Sequence, residues 1–259
     1  MRWIFLVLIS VLALVGCQEK VASQAKTIEK KEVKKVEPPK QAIVRQEKLI
    51  SDDNVTDTLL AYGKANRETI VDITTSFGKI RVKLFEDTPL HRANFIMLTK
   101  EHYFDSTVFN RVVPKFMAQC GAGSIGRHTD YKRDHGRYTI PSEILPGHFH
   151  VKGAVAMARS YKENPNKRSD PYAFYFVEGQ RFSNETLDIY EETNHYKYSK
   201  EQRKYYPNNP GAAHIDGEHT VFGQVISGFS VIPKITAVDT DGQDWPREDI
   251  YILSVEIIE

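Results

Sequence analysis

Phe109-Asn110-Arg111-Val112-Val113-Pro114-Lys115-Phe116-Met117-Ala118-Gln119-Cys120-Gly121 is the most informative stretch of this 259-residue chain. Read as a strand, it sets one cation, Arg111, among Phe109, Phe116 and Met117, with an amide at Gln119. The residues by themselves leave two readings open. One is an ordinary barrel strand with a surface arginine; the other is a guanidinium held in apolar surroundings for chemistry.

Working outward, period-two alternation recurs on both sides. Ile70 and Ile73, then Ile80, Val82 and Leu84, alternate with polar residues around Ser76-Phe77-Gly78-Lys79, which predicts a hairpin. Further short strand-like runs are Thr107–Val113, Phe116–Gln119, Val151–Ala158, Ala173–Val177, Thr220–Ile226 and Tyr251–Ile257. Helices are expected over 53–66, from the N-cap Thr88 with Pro89 at its first position to Lys100, and over 229–235. Strands without helices between them do not make βαβ units. They predict a mainly β fold, a closed antiparallel barrel capped by two helices. The strand signal stops between Gln180 and Ala213, where Tyr190, Tyr196, Tyr198, Tyr205 and Tyr206 gather and Ser199-Lys200-Glu201-Gln202 matches a capping box. This is read as a long, partly helical insertion.

The N-terminus reads as an address. Arg2 precedes an apolar run from Trp3 to Val15, too short to span a bilayer and suited to a signal peptide. It ends in Leu14-Val15-Gly16-Cys17, which resembles the lipobox of bacterial lipoproteins. That resemblance implies cleavage after residue 16, acylation of Cys17, and a cell-envelope location: a lipid anchor, most simply in the outer membrane facing the periplasm. Residues 18–50 carry nine Lys/Arg, five Glu and no aromatic residue, the composition of a disordered tether. The expected organisation is a signal peptide over 1–16, lipidated Cys17 and tether over 17–50, a leading helix or linker over 51–67, and one domain over 68–259 with its insertion at 180–213. Removing Arg2 and the tether's net +4 from the chain's net +1 leaves 51–259 at −4, so no nucleic-acid partner is expected.

Other motifs are weak. Gly121-Ala122-Gly123-Ser124-Ile125-Gly126 spells GxGxxG, but 127–136 has no apolar periodicity and reads as a flexible loop, not the helix a pyrophosphate needs. The histidine pairs His148/His150 and His214/His219 have no third ligand at set spacing, and no metal or other cofactor is expected. There is no GxSxG elbow, and Cys120 has no base partner in sequence.

The pattern Phe-x-Arg-Val-x-Pro-x-Phe-Met-x-Gln-x-Gly over 109–121 resembles the signature of the cyclophilins, the cyclophilin-type peptidyl-prolyl cis–trans isomerases. The resemblance continues in order through Gly153–Ala158, Phe174–Val177 and Ile215–Val225, and upstream through Thr75–Leu84 and Pro89–Asn94. It implies an eight-stranded barrel and isomerisation of X–Pro bonds, whose rotation faces a barrier of about 18–20 kcal/mol. It assigns catalysis to Arg111 and the proline pocket to Phe116, Met117, Tyr175 and Ile215. Gln119 would hold Arg111 or the substrate amide, His219 would stand at the pocket edge, and the backbone at Ala158 and Arg159 would receive the peptide. Three positions depart from the family pattern. Asn110 stands in place of a His, His214 in place of a Trp, which implies weak cyclosporin binding, and Ala173 in place of a substrate-facing Gln. The partners implied are proline-containing peptides and unfolded proteins, bound by a monomer that assists folding. The alternative is a catalytically weak binding or chaperone module that grips partners with the Tyr-rich insertion. On the isomerase reading, activity on a short peptide is expected to survive deletion of 180–213.

Overall fold

The computed structural model describes residues 49–123 and 126–259; Cys17 and nearly all of the tether lie outside the described residues. Helix α1 (Val55–Ala65) leads into β1 (Ile70–Thr75) and β2 (Gly78–Leu84), which pair antiparallel with Thr75 opposite Gly78. Gly78 sits at φ +134°, a conformation closed to side chains with a Cβ, and so permits the tight reversal. Helix α2 (Pro89–Lys100) is buried from Leu90 to Thr99. Thr88 occupies its N-cap position but supplies no cap: the amides of Leu90 and His91 donate instead to the Glu143 carboxylate, both at 3.0 Å. A buried helix end takes a charged acceptor from across the fold in place of the local hydroxyl.

Six more strands follow: β3 (Phe109–Val113), β4 (Met117–Cys120), β5 (Ala154–Met157), β6 (Phe174–Val177), β7 (Val221–Ser227) and β8 (Ile252–Ile257). They join β1 and β2 in one sheet of order β3-β4-β6-β5-β7-β2-β1-β8, antiparallel throughout. It is a half-barrel, not the closed barrel expected. The end strands β3 and β8 meet only near one bridge, Val108–Tyr251. Beyond it a bulge interrupts β3, and the Val112 amide donates to Asp244 in the loop before β8 rather than to β8 itself. Of the two expected capping helices, α2 buries against the main core, as does a short helix, α6 (Val231–Thr236).

Two further corrections concern loops. Residues 126–135 form a helix, α3 (Gly126–His135), where a flexible loop was expected. Its inward residues are His128, packed on Tyr103 at 5.2 Å, and Tyr131, stacked on His135 at 3.6 Å. A stripe of polar aromatics packs well but scores as hydrophilic, which hides the periodicity. The helix opens at the third glycine of GxGxxG, yet the sheet is antiparallel and has no βαβ unit to seat a dinucleotide. A Cβ on Gly123 would stand 2.3 Å from the His128 ring, so that glycine makes room for α3. The insertion is partly helical as expected, with α4 (Asn184–Asn194) and α5 (Lys200–Tyr205), the latter opened by a complete Ser199/Gln202 capping box.

Candidate active site

The site grows from one register. Arg111 stands opposite Gln119, Gln119 opposite Tyr175, and Tyr175 opposite Ala156, a row across β3, β4, β6 and β5. Directly opposed residues share a face. Next along that face lie Val113, Met117 and Val177. Phe109, two residues before Arg111, would share its face in a regular strand. The bulge between them separates the two: Phe109 enters the main core, fully buried, while Arg111 emerges on the other side. The expected neighbourhood of Phe109, Phe116 and Met117 around Arg111 therefore loses Phe109.

Met117 and Tyr175, both buried, form a satellite cluster with Ala154, Ala156, Val177 and Val221. Phe116, from the β3–β4 turn, and Ile215, from the 3-10 turn Ala213–Ile215, pack half-buried against it. The four expected wall residues thus share one apolar patch. His214 lays its ring 4.6 Å from that of Phe116 and so occupies the outer wall; burial lowers its pKa.

Arg111 is half-exposed and donates from Nε to the Asp244 carboxylate at 3.1 Å. This replaces the role expected of Gln119, whose amide makes no hydrogen bond among the described residues and faces the open side. Asp244 carries no sequence signal: it is 133 residues away, in a loop, and holds φ +64°. The terminal nitrogens of Arg111 make no bond among the described residues.

His219 is buried. Nδ1 meets the Met157 carbonyl at 3.0 Å and Nε2 meets the Tyr161 hydroxyl at 2.8 Å. Burial foremost, with His150 and the cations Arg159 and Lys167 nearby, depresses its pKa to about 3, so the ring is neutral at physiological pH. Its edge-on contact with the Tyr175 ring, 5.5 Å between centroids, places it beside the patch. Ala158 is less available than expected: its amide donates to Ala173 at 2.9 Å and its carbonyl accepts from Asp170 at 2.8 Å. Arg159 turns its guanidinium to Glu218 and over the Tyr161 ring, 4.0 Å from the centroid. It braces the loop rather than reaching a ligand through its side chain. Cys120 lies on the core face, where burial raises its thiol pKa well above the ordinary value; a buried neutral thiol is no nucleophile.

The insertion's tyrosines pack on a cluster of their own. Tyr198 and Tyr206 are buried with Phe182 and Leu187 in a third cluster, and Tyr190, Tyr196 and Tyr205 pack half-buried on it. A cleft of about 1060 Å³ lies elsewhere, between α3 and the 160–172 segment, with Lys132, Arg133, Arg137 and Arg168 in its walls. It shares no lining residue with the patch beside Arg111.

What the site offers is a charged fork beside an apolar patch, and among the described residues there is no group of three potential metal ligands. The family described as cyclophilin type peptidyl-prolyl cis-trans isomerase/CLD matches residues 70–257. A Streptococcus pyogenes protein named for both phosphatase and peptidyl-prolyl cis-trans isomerase activity is 30% identical over 202 residues, which are 73% of this chain and 38% of that one. The chain thus spans well under half of that relative. An Acinetobacter baylyi peptidyl-prolyl cis-trans isomerase is 28% identical over 77% of this chain and 90% of its own length. The crystal structure of a Cryptosporidium parvum cyclophilin-type isomerase, determined in the presence of the dipeptide Ala-Pro, superposes with a TM-score of 0.51 at 20% identity, covering 73% of this chain and 99% of that one. At that identity the likeness speaks for the fold alone.

Proposed function

The chain belongs to the cyclophilin-type peptidyl-prolyl cis–trans isomerases, and from that premise we propose that it turns X–Pro bonds of protein substrates outside the cytoplasm and so assists their folding. The observation that carries the catalytic part is the register row Arg111–Gln119–Tyr175 beside the patch of Phe116, Met117 and Ile215. Rotation about an amide removes resonance. In the twisted state the proline nitrogen becomes pyramidal and gains a lone pair. A catalyst needs only to bind that state better than either planar form. The proline ring seats on the apolar patch, and the terminal N–H groups of Arg111, aimed by Asp244, donate to the developing lone pair or to the carbonyl oxygen. A preorganised donor in such a place contributes about 3–4 kcal/mol in comparable oxyanion sites. Gln119 takes the substrate amide. Ala173, only 4% exposed and without a side-chain amide, leaves one peptide contact unmade, and peptide affinity is correspondingly weak.

The location rests on sequence: the lipobox-like Leu14-Val15-Gly16-Cys17 and the 33 residues that follow favour a lipid-tethered domain in the cell envelope. The isomerase part is tested by a proline-peptide isomerisation assay on the purified chain. Acceleration that falls with Arg111→Ala supports it, and an inactive wild type refutes it. The anchor is tested by incorporation of labelled fatty acid, which Cys17→Ser should abolish.

A further inference from the structure

A continuous run of hydrogen bonds, most of them buried, joins the apolar patch to the insertion. The Tyr175 hydroxyl lies 3.0 Å from His150 Nε2. His150 Nδ1 lies 2.8 Å from Asp216 Oδ1, which also accepts the His150 backbone amide at 2.9 Å. The second carboxylate oxygen accepts the Gln202 amide at 2.8 Å and the Tyr206 hydroxyl at 2.5 Å. Gln202 reaches on to the Tyr196 hydroxyl at 2.9 Å. The side chains of His150 and Asp216 are 1% and 0% exposed.

The direction of the chain follows from what each group can do. An ionised carboxylate only accepts, so Nδ1 carries the proton facing Asp216. The other ring nitrogen, Nε2, faces the Tyr175 hydroxyl and completes the link. Asp216 has four donors, two from His150 and two from the insertion. Without the insertion a buried carboxylate would lose half of them, which is costly in an apolar interior. The Tyr175 ring at the other end lies parallel to the His150 ring, 8° between planes, and packs in the cluster that holds Met117 and Ile215.

We propose that His150 and Asp216 are positioning residues for the proline notch, and that through them the 180–213 insertion sets the affinity for peptide by holding the Tyr175 ring in place. The inference rests on the isomerase reading. It reverses the expectation that activity on a short peptide survives loss of the insertion. Nothing in the sequence pairs position 150 with 175 or 216; only the packing does.

The test uses the full chain and an Ala-Pro-containing peptide, with kcat and KM separated. Tyr175→Phe keeps the ring and removes only its tether; Tyr206→Phe removes one donor at the far end and is the milder cut should Asp216→Asn fail to fold. Tyr175→Phe and Asp216→Asn should each raise KM about five- to tenfold with little change in kcat, an effect on the scale of one lost hydrogen bond. The double variant should be no worse than the worse single one, because either cut frees the same ring. Side-chain nitrogen NMR gives a second reading. The His150 signals should show the Nδ1–H form and shift when peptide saturates the wild type, and that shift should vanish in Tyr175→Phe. An unchanged KM in an active Tyr175→Phe, or effects of the two substitutions that multiply, overturns this inference and leaves the isomerase intact. A wild type that neither turns over nor binds such peptides overturns both.

Discussion

The two faces of strands β3, β4 and β6 are built from alternate residues of the same short segments, yet they do different work. One face carries Phe109, Val112, Ala118, Cys120, Phe174 and Phe176 into the main core, all at most 1% exposed. There Phe174 meets Phe95 and Phe104 edge-on at 5.2 and 5.3 Å. The other face carries Arg111, Met117, Gln119 and Tyr175, with one half-exposed cation, one amide without a hydrogen bond among the described residues and one hydroxyl tied to a histidine. The first face is held by burial, which is non-directional and large. The second combines a small buried cluster around Met117 and Tyr175 with a few directional bonds, each small, and is left open at Arg111. A dry, fully packed face has no room for a ligand, and an open one contributes little to stability, so the same strands separate stability from function by alternation alone.

Substitutions on each face test that separation. The largest effect is expected on the core face: Phe174→Ala should lower unfolding free energy by about 3–5 kcal/mol, read as a shift of the urea midpoint. Next, Arg111→Ala should reduce kcat/KM about 10²- to 10³-fold while moving the urea midpoint by no more than an exposed substitution does, about 0.5 kcal/mol. Arg111→Lys should not restore the activity, since a flexible ammonium lacks the guanidinium fork. If Arg111→Ala instead unfolds the protein, the two faces are not separable and the comparison breaks.

Acid sharpens it further. In the unfolded chain His219 takes up a proton near pH 6.5; in the folded protein it does so only near pH 3. Between these values the unfolded state binds more protons, so stability falls as pH falls from about 6.5 toward 3, by about 1.4 kcal/mol per pH unit at most from this group. His219→Asn should flatten the dependence of the urea midpoint on pH across that window. The smallest effect belongs to Asp244. Its ion pair with Arg111 is half-exposed on both sides, and such pairs contribute about 0.2–1 kcal/mol. Asp244→Asn should lower kcat/KM about two- to fivefold without changing stability, and a loss as large as that of Arg111→Ala would place Asp244 among the groups that meet the substrate.

Local signals identified the elements. Alternation located the strands, the Ser199–Gln202 box located α5, and Thr88-Pro89 located the start of α2 although Glu143 provides its actual cap. The motif over 109–121 named the wall residues Phe116 and Met117, which do share a patch with Tyr175 and Ile215. Helix α3 escaped because its inward stripe is His128 and Tyr131, residues that hydropathy counts as polar. The bulge beside Arg111 escaped because an extra residue in a ladder leaves no compositional trace, and it moved Phe109 to the opposite face.

The order of residues alone was enough to determine that this chain is mainly β with few helices between its strands, that Arg111 stands in an apolar motif, and that its family rotates X–Pro bonds. These properties reside in side chains two to four positions apart, whose spacing is fixed by covalent geometry. Only the tertiary structure decided that the sheet stops at a half-barrel, that Asp244 aims the guanidinium, and that Asp216 and His150 join the insertion to Tyr175. Those contacts link residues 10 to 133 apart in the chain. Which distant polar groups meet is set by the packing of whole elements against one another, and no local periodicity encodes it.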